Sequence, residues 1–272
     1  MPELPEVETI ARGLAARVSG ERIESVWLGP KKEPLKSPAQ EIISVLEQSK
    51  ITGVRRVGKH IVVDLENGAD GKRPAQWIVH LGMTGRVLVC DPQEPLAAHT
   101  HAVVKLGSGR EIRFVDPRRF GRLSVASNGG FAAAGGEPLT IELEPFIGLF
   151  RGRKTPIKSA LLNQGLLSGV GNIYADESLY RAGIRPRRRA AAVTRQEFAR
   201  LHAALRKVLG EAIRLGGSSV SDYVDADGQE GFFQLRHRVY GREGAPCRRC
   251  KTIIRRIVIA GRSSHYCSLC QK

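Results

Sequence analysis

The feature that most constrains this chain is a set of four cysteines near its C-terminus. Cys247 and Cys250 are separated by two residues, as are Cys267 and Cys270, and sixteen residues lie between the two pairs. Two residues between cysteines allow both thiolates of a tight turn to face one metal ion, so this spacing is typical of a four-cysteine zinc site. We therefore predict one structural Zn²⁺ that joins the ends of a β-hairpin.

Metal binding would supply the folding energy of this segment, because its 24 residues contain too few apolar side chains to form a core. The alternative is a pair of disulfides, but the N-terminus does not resemble a secretion signal, and disulfides belong mainly to oxidising compartments. The fifth cysteine, Cys90, lies in an apolar run, and we expect it to be a buried, inert thiol.

The net charge of +16 is unevenly distributed along the 272 residues. Residues 1–130 carry 19 basic and 15 acidic side chains, whereas residues 131–272 carry 24 and 12. Of the 43 basic residues, 31 are arginine, whose planar guanidinium pairs with phosphate through two hydrogen bonds. The charge favours a polyanionic partner, most simply nucleic acid, over a merely solubilising surface. No run approaches the roughly 18 apolar residues of a spanning helix, so we expect no membrane association.

The pattern of apolar residues divides the chain into parts. An N-terminal helix is followed by short β-branched runs with turn residues between them, which is typical of a sandwich or barrel. Strands are predicted at 23–28, 61–65, 77–81, 86–90, 102–106 and 111–115, with one helix near 39–48.

A stretch of small residues at 127–136 marks a boundary, and helical periodicity follows it. Helices are predicted over 158–167, 172–182 and 194–215. We therefore predict an α+β multidomain protein: an N-terminal β-sandwich domain with flanking helices at 1–130, a helical domain at 137–234, and a zinc-binding β-hairpin at 235–272.

The first residues offer a possible nucleophile. Because proline is small, Met1 is expected to be removed, and Pro2 would then carry a free secondary amine that can attack an electrophilic carbon and form an iminium. Glu3 beside it could transfer protons. Taken alone, these residues are explained more simply as the proline and acids that open a helix.

Several later motifs suit contact with DNA. Lys59 follows a glycine between two strands and could neutralise a phosphate or act as an acid, or could be an exposed turn residue. Met83 lies between two glycines and could be a wedge against a base stack. The turn at 116–121 presents two arginines and Phe120, which suits phosphate or base contact, or a salt-bridged loop. Asn172 follows a glycine turn whose amides could hold a phosphate.

Together, these motifs resemble the formamidopyrimidine-DNA glycosylase family of bacterial base-excision repair enzymes. The similar segments are PELPEVETI at 2–10, GKH at 58–60, HLGMTG at 80–85, DPRRFG at 116–121, GVGNIYADE at 169–177 and the terminal cysteine hairpin. The resemblance implies a two-sheet sandwich, a helical domain with a helix-two-turns-helix element, and a zinc finger. Double-stranded DNA would bind between the domains with the damaged nucleotide flipped out, because the bond to be broken is inaccessible in a stacked duplex.

The resemblance also implies roles for individual residues. Pro2 would attack the sugar C1′ and displace an oxidised purine, Glu3 would transfer protons, and Lys59 and Arg262 would assist the β- and δ-eliminations that cut the strand. DNA-binding positions are implied for Met83, Arg118 and Phe120, which would fill the gap left by the flipped base, and for His99, Arg153 and Asn172. The implied protein is a bifunctional DNA-formamidopyrimidine glycosylase and DNA-(apurinic or apyrimidinic site) lyase, a monomer in the bacterial cytoplasm.

Two alternatives stay open. The related endonuclease VIII shares the N-terminal proline and prefers oxidised pyrimidines, but the set of Met83, Arg118 and Phe120 favours the purine enzyme. So does the segment 218–234, which resembles the loop that closes over an everted 8-oxoguanine. A DNA-binding module that has lost turnover is the other alternative. His265 stands where the family usually has an aromatic such as Phe, and we expect a changed hairpin side chain there rather than a DNA contact.

Overall fold

The computed structural model describes residues 1–67, 73–127, 130–219, 224–226 and 228–272. The chain forms two compact units: one contains Met1–Ala132 and Gly216–Gly231, and the other contains Ala133–Leu215 and Phe232–Lys272. The segment 216–231 therefore belongs to the N-terminal unit, although it follows the helices of the second unit along the chain. The three-domain division predicted from the sequence is finer than these two units and stays a prediction.

The first unit is a β-sandwich with two helices, which confirms the predicted fold class. Its helices are α1 (Leu4–Val18) and α2 (Ala39–Leu46). Within the described residues, its eight antiparallel strands form two four-stranded sheets. One sheet has the order β1 (Ile23–Leu28), β6 (Thr100–Leu106), β7 (Glu111–Val115), β5 (Arg86–Cys90), and the other has the order β2 (Lys50–Val57), β3 (His60–Asn67), β4 (Arg73–His80), β8 (Arg122–Ala126).

One hydrophobic core unites both sheets and both helices. Helix α1 contributes Val7, Ile10 and Leu14, whose spacing of three and four residues places them on one face. Strand β3 contributes Ile61, Val63 and Leu65, whose spacing of two residues places them on one face, and Val62 on the other face is buried as well. This core fixes the start of α1 and the turns at the ends of the strands, where the candidate site residues lie.

The predicted strands agree with the structure in position, and three of them, β1, β5 and β7, agree in both bounds. Strand β4 begins four residues before Trp77 and ends at His80. Strands β2 and β8 were not predicted, because their alternating pattern is interrupted by arginines and serine. Cys90 is buried, as expected.

The second unit is helical and ends in a β-hairpin. Its helices are α3 (Leu143–Phe150), α4 (Ile157–Leu161), α5 (Asn172–Ala182) and α6 (Arg195–Arg214), and its hairpin strands are β9 (Arg255–Ile259) and β10 (Arg262–Tyr266). The predicted helix over 158–167 is wrong in its second half. Asn163 ends it, because its side chain accepts a hydrogen bond from the Gly165 N–H at 2.9 Å and offers the backbone a turn in place of a helix. No helix in the described ranges is long and apolar enough to cross a membrane.

Candidate active site and zinc centre

The N-terminus places a proline and two acids at the start of a buried helix. Met1 is 46 % exposed, whereas Pro2 is buried and Glu3 is 3 % exposed. Glu3 is the N-cap of α1 and forms a reciprocal capping box with Glu6, whose carboxylate accepts the Glu3 N–H at 2.8 Å. Removal of Met1 would therefore leave the Pro2 amine beside a carboxylic acid whose backbone is fixed.

Glu6 also binds the segment 216–231 at Ser218. Its second carboxylate oxygen accepts the Ser218 N–H at 2.7 Å, so one buried acid binds both the start of α1 and the base of that segment. Gly217 has a φ of +84°, and a Cβ there would lie 2.9 Å from the Glu6 carboxylate oxygen. The close approach therefore requires glycine. The sequence prediction treated Glu6 only as a helix-opening acid; its spacing of three residues from Glu3 is the signal of a capping box.

Lys59 lies in the turn between β2 and β3 and is buried. The turn is tied to α1 by Arg56, whose side chain is 5 % exposed. Arg56 donates to the Glu8 carboxylate at 2.8 Å and to the Gly58 carbonyl at 3.1 Å. Arg56 thus connects the Lys59 turn to the N-terminal half of the helix that begins beside Pro2.

Two neighbouring turns present the exposed side chains predicted to enter DNA. Met83 is 39 % exposed and Phe120 is 47 % exposed, although both are apolar. The guanidinium of Arg118 lies 4.9 Å from the centre of the Phe120 ring, a cation–π distance. A Cβ on Gly82 would lie 2.5 Å from the backbone at Phe120 and Gly121, so glycine allows the two turns to touch.

Asp116 forms hydrogen bonds to both turns from the protein interior. It is fully buried, and its carboxylate accepts hydrogen bonds from the Thr84 hydroxyl at 2.6 Å and the Gly121 N–H at 2.7 Å. Its backbone N–H donates to the carbonyl of His99, which has a φ of +65° and an exposed side chain. His80 adds an acceptor for the Gly82 N–H at 3.2 Å, and burial lowers the pKa of His80 to about 4, so the ring is neutral at pH 7.

In the second unit, Asn172 and the hairpin tip lie together. The Asn172 side-chain amide donates to the Ser263 hydroxyl at 3.2 Å, and its oxygen has no partner among the described residues. Arg262, beside Ser263, is exposed and follows a two-residue turn, Ala260-Gly261, in which both residues have positive φ. That turn geometry matches the twist of a hairpin.

A buried ion pair fixes the hairpin to α5. Lys158 and Asp176 are fully buried and 2.7 Å apart, and Lys158 donates to the Ser263 carbonyl at 2.5 Å. The other Asp176 oxygen accepts the His265 N–H at 2.8 Å. His265 is buried, and its role stays a prediction. The sequence analysis assigned no role to Lys158 or Asp176.

The predicted residues thus fall into two groups. The first unit holds Pro2, Glu3, Lys59, Met83, His99, Arg118 and Phe120, and the second holds Arg153, Asn172, Arg262 and the four cysteines. Arg153 is exposed after α3, and its guanidinium donates to the Leu149 carbonyl at 2.7 Å. The roles of these side chains stay predictions.

The four cysteines fit one zinc ion. Their sulfur atoms all lie within 4.8 Å of one another, with Cys250 and Cys267 at 3.4 Å and Cys247 and Cys270 at 3.9 Å. A tetrahedral ion with Zn–S bonds of about 2.3 Å needs sulfur atoms about 3.8 Å apart. The geometry therefore matches a closed structural site at the base of the β9–β10 hairpin.

The electrostatic environment of the four thiols also favours a bound cation. Burial opposes ionisation of Cys247, but the Tyr180 hydroxyl and the amides of Arg249 and Cys250 outweigh it and lower its pKa to about 6. Burial and the neighbouring thiols raise the pKa of Cys270 to about 12. Four adjacent thiolates form together only when a positive ion neutralises them, and Zn²⁺ supplies that charge.

Family models match most of the chain. The formamidopyrimidine-DNA glycosylase N-terminal domain matches residues 1–123, the formamidopyrimidine-DNA glycosylase H2TH domain matches 135–224, and the zinc finger found in FPG and IleRS matches 244–272. A β-sandwich, an H2TH unit and a four-cysteine zinc finger in this order define a class of zinc-finger DNA glycosylases.

Whole relatives agree with these models. The chain is 45 % identical to the formamidopyrimidine-DNA glycosylase of Solibacter usitatus over the full length of both chains. It superposes on the MutM (Fpg) protein from Thermus thermophilus with a TM-score of 0.87, 40 % identity and coverage of 99 % and 98 %. The Lactococcus lactis Fpg in complex with abasic-site DNA gives a TM-score of 0.89 at 30 % identity, with 99 % of each chain covered. The chain belongs to the formamidopyrimidine-DNA glycosylase family.

Membership in this family confirms the predicted resemblance, enzyme class and zinc finger. The Lactococcus lactis protein has also been seen with DNA that contains an oxidised pyrimidine.

Proposed function

We propose that this chain is a bifunctional DNA glycosylase and abasic-site lyase of base excision repair that removes 8-oxoguanine and formamidopyrimidines from duplex DNA. It would act as a monomer in the bacterial cytoplasm. The observation that carries the proposal is the buried Pro2-Glu3 start of α1, held by Glu6 and tied through Arg56 to the turn of Lys59. Once Met1 is removed, this arrangement would leave a secondary amine beside a carboxylic acid.

Pro2 supplies the nucleophile in this proposal. After removal of Met1, burial and the positive end of α1 favour the uncharged amine. Its lone pair attacks the sugar C1′, the C1′–N bond breaks, and the base leaves with a proton that Glu3 helps to deliver. The C1′–O4′ bond then breaks as O4′ takes up the proton that the Pro2 amine loses, and the product is an iminium between Pro2 and the ring-opened sugar.

Strand cutting follows from that iminium. Loss of a proton from C2′ breaks the bond to the 3′ phosphate, and a second elimination breaks the bond to the 5′ phosphate. Lys59 and Arg262 are proposed to assist these eliminations and to hold the phosphates. Hydrolysis of the iminium then frees Pro2.

The DNA contacts are proposed for exposed side chains. Met83, Arg118 and Phe120 share two touching turns, so they can enter the space of an everted base as one surface. His99, Arg153 and Asn172 are proposed to contact the DNA backbone.

Borohydride trapping tests the nucleophile. The chain should form a covalent complex with a duplex that contains 8-oxoguanine opposite cytosine, because borohydride reduces the iminium to a stable amine. Pro2→Gly should reduce trapping at least tenfold, whereas Pro5→Gly, three residues further into α1, should still trap. Equal trapping by wild type and Pro2→Gly would show that Pro2 is not the nucleophile, and absence of incision by wild type would favour the module without turnover.

A lesion panel tests the substrate. Incision rates on duplexes with 8-oxoguanine, formamidopyrimidine or thymine glycol should rank both purine lesions first. A preference for thymine glycol would contradict the purine assignment.

A further inference from the structure

The second unit carries a basic groove on the side of α6. Two adjoining cavities of about 350 Å³ and 650 Å³ share Arg181, Glu211 and Arg238 in their walls. Small or apolar residues such as Ala203, Ala204 and Leu215 leave room between the charged side chains. The basic groove is lined by Arg181, Lys207, Arg214, Arg236, Arg238 and Arg249.

The positive charge of the basic groove is almost uncompensated. Its one acid, Glu211, is bound by Arg181 at 2.7 Å. Within the described residues, no carboxylate lies within ion-pair distance of the other five cations. Arg181, Lys207 and Arg214 together hold the pKa of Glu211 below its usual range, although burial opposes this shift. A surface on which five of six cations have no ion-pair partner among the described residues, and whose acid is neutralised, is complementary to a polyanion.

The basic groove lies at the opposite end of α5 from Asn172. Asn172 begins α5 and Arg181 lies nine residues further on, which is about 14 Å along the helix. The hairpin tip contacts the Asn172 end through Ser263. The zinc end of the hairpin contacts the other end of α5, where the Tyr180 hydroxyl lies 3.2 Å from the Cys247 sulfur.

Backbone contacts fix one wall of the basic groove. The Glu177 carboxylate accepts the N–H groups of Arg238, Val239 and Tyr240 at 2.9 to 3.0 Å. The Arg238 side chain is exposed above this anchor. Arg214 stands opposite on the last turn of α6 and is also exposed. Two guanidinium groups on fixed elements suit the evenly spaced phosphates of a nucleic acid better than a single small anion.

We propose that the basic groove binds the phosphate backbone of a second DNA segment while the candidate active site holds the first. This inference rests on the proposed function, since it assumes that the other DNA-contacting residues are occupied by the damaged duplex. Two segments bound at once would let the protein pass between DNA segments without full release into solution.

The covalent complex provides the test. Wild-type protein trapped with borohydride on a short 8-oxoguanine duplex has its first site permanently filled, and binding of a labelled undamaged duplex is then measured by fluorescence anisotropy at several salt concentrations. We expect binding that weakens with salt. Arg214→Gln/Arg238→Gln should weaken it at least fivefold and lower the slope of log affinity against log salt by about 2, since each lost phosphate contact contributes about 0.9. Excision of 8-oxoguanine in a single turnover should stay within twofold of wild type.

The matched control removes the same charge elsewhere in the unit. Arg187 and Arg206 are exposed and do not line the basic groove, so Arg187→Gln/Arg206→Gln should leave second-duplex binding within twofold. The proposal is overturned if the trapped complex binds no second duplex, if both double variants weaken binding equally, or if poly-glutamate binds more tightly than the duplex at equal salt.

Failure to form the covalent complex would count against the proposed function instead. The second duplex is then titrated into the noncovalent complex saturated with abasic-site DNA, and the same comparison of the two double variants supports or overturns the basic groove.

Discussion

At the scale of single residues, two buried acids fix the candidate site. Glu6 binds the Glu3 and Ser218 amides, and Asp116 binds the Thr84 hydroxyl and the Gly121 amide. Neither acid is exposed, so neither can contact DNA from its present position. Both act by fixing backbone, which keeps the exposed side chains beside them in one arrangement.

Replacement of Asp116 should lower both the stability of the fold and the incision of duplex lesions. In Asp116→Asn, the side-chain NH₂ group takes the place of one carboxylate oxygen and faces a donor whose hydrogen bond that oxygen accepted. We therefore expect the free energy of unfolding to fall by about 2 kcal/mol. We also expect incision of duplex lesions to fall at least tenfold, because the turns of Met83 and Phe120 lose their common anchor. Cleavage of single-stranded abasic DNA, which has no gap to fill, should fall less. Urea unfolding and the two cleavage assays measure these effects.

Asp64→Asn is the control for Asp116→Asn. Asp64 is partly exposed on β3, where it binds exposed Arg55 and Gln76, so water can replace part of what Asp64→Asn removes and its cost should be smaller. Equal losses in the two variants, or an equal fall on both DNA substrates, would contradict an anchoring role for Asp116.

The sequence revealed the exposed residues of the site more readily than the buried ones. Met83 and Phe120 are easy to recognise in the sequence because glycines or arginines lie beside or near them in the chain, and such residues are not typical of a buried core. Asp116 and Asp176 resemble ordinary surface acids in sequence, and only the fold places Thr84, Gly121, Lys158 or His265 against them. Thr84 is 32 residues from Asp116 and His265 is 89 residues from Asp176, and partners this distant leave no local pattern.

At the scale of elements, helix α1 packs against Ala226 of the segment 216–231. Ala226 is buried in the core of the first unit, and its carbonyl accepts the Val89 N–H at 3.4 Å and an Arg17 N–H at 3.3 Å. A Cβ on Gly13 of α1 would lie 3.2 Å from the Ala226 Cβ. Glycine in mid-helix is costly, so its presence here is explained by the room that Ala226 needs.

Gly13→Val should therefore detach this segment without weakening α1. Valine has a higher helix propensity than glycine, which offsets part of the loss of Ala226 from the core, so thermal stability should fall only modestly. Excision of 8-oxoguanine should fall at least fivefold, because this segment resembles the loop that closes over the everted base. Cleavage at a preformed abasic site should stay within twofold.

Gly148→Val provides the comparison for Gly13→Val, since Gly148 is also helical and has nothing within 4 Å of an added Cβ. Its two activities should match wild type. A parallel fall of both activities in Gly13→Val would indicate general damage and contradict a role in base recognition.

The start of α6 should make stability depend on pH. The Glu197 carboxylate binds Arg188 at 2.5 and 2.7 Å and caps the helix by accepting the Thr194 N–H at 2.8 Å. Arg188, and then the Thr194 bonds, lower the pKa of Glu197 from 4.5 to about 2, although burial opposes this. The depressed pKa means that Glu197 stabilises the fold above pH 4.5 and that this contribution disappears as the pH falls towards 2.

Glu197→Gln should thus lower the free energy of unfolding by about 1 kcal/mol at pH 7. The difference from wild type should shrink between pH 5 and pH 3, as measured by denaturant unfolding at each pH. Glu144→Gln removes an exposed acid that pairs with Arg195 and should cost less than about 0.5 kcal/mol. A pH-independent loss in Glu197→Gln would contradict the linkage.

Helices and strands whose apolar residues repeat with one clear period were predictable from the sequence. The predicted helix at 194–215 matches α6 within one residue at each end, because Thr194 and Glu197 form a capping box and the apolar residues keep helical spacing. The predicted helix at 158–167 kept that spacing too, yet Asn163 and Gly165 ended it. Leu166 and Leu167 pack from a turn. Periodicity alone does not distinguish such apolar residues from those of a helix.

At the scale of the whole molecule, the zinc site supports only part of the chain. All four cysteines lie in the second unit, and buried Cys247 and Cys267 form a small cluster with Tyr180, Val239 and Ile254. This cluster is small enough that metal binding supplies much of its stability. The sandwich core of the first unit contains no zinc ligand among the residues that the structure describes.

Cys247→Ser should therefore release zinc and weaken DNA binding at least tenfold, because the hairpin that carries Arg262 loses its base. Hydrogen exchange should show lost protection at 235–272 and retained protection in the sandwich. Cys90→Ser, outside the zinc site, should keep both metal and DNA binding. Retained affinity for DNA in a zinc-free Cys247→Ser protein would contradict this role of the hairpin.

The division of the chain also sets the order in which the first unit becomes complete. The sandwich ends at Ala132, but its last part, 216–231, leaves the ribosome about 100 residues later. At roughly 5 to 20 residues per second, the nascent sandwich waits on the order of 5 to 20 s for this part. During that interval the Glu6 carboxylate has no Ser218 amide to bind, and the place beside Gly13 is unfilled. A chain released early would carry a folded sandwich and an N-terminal proline, yet would lack the segment proposed to close over a damaged base.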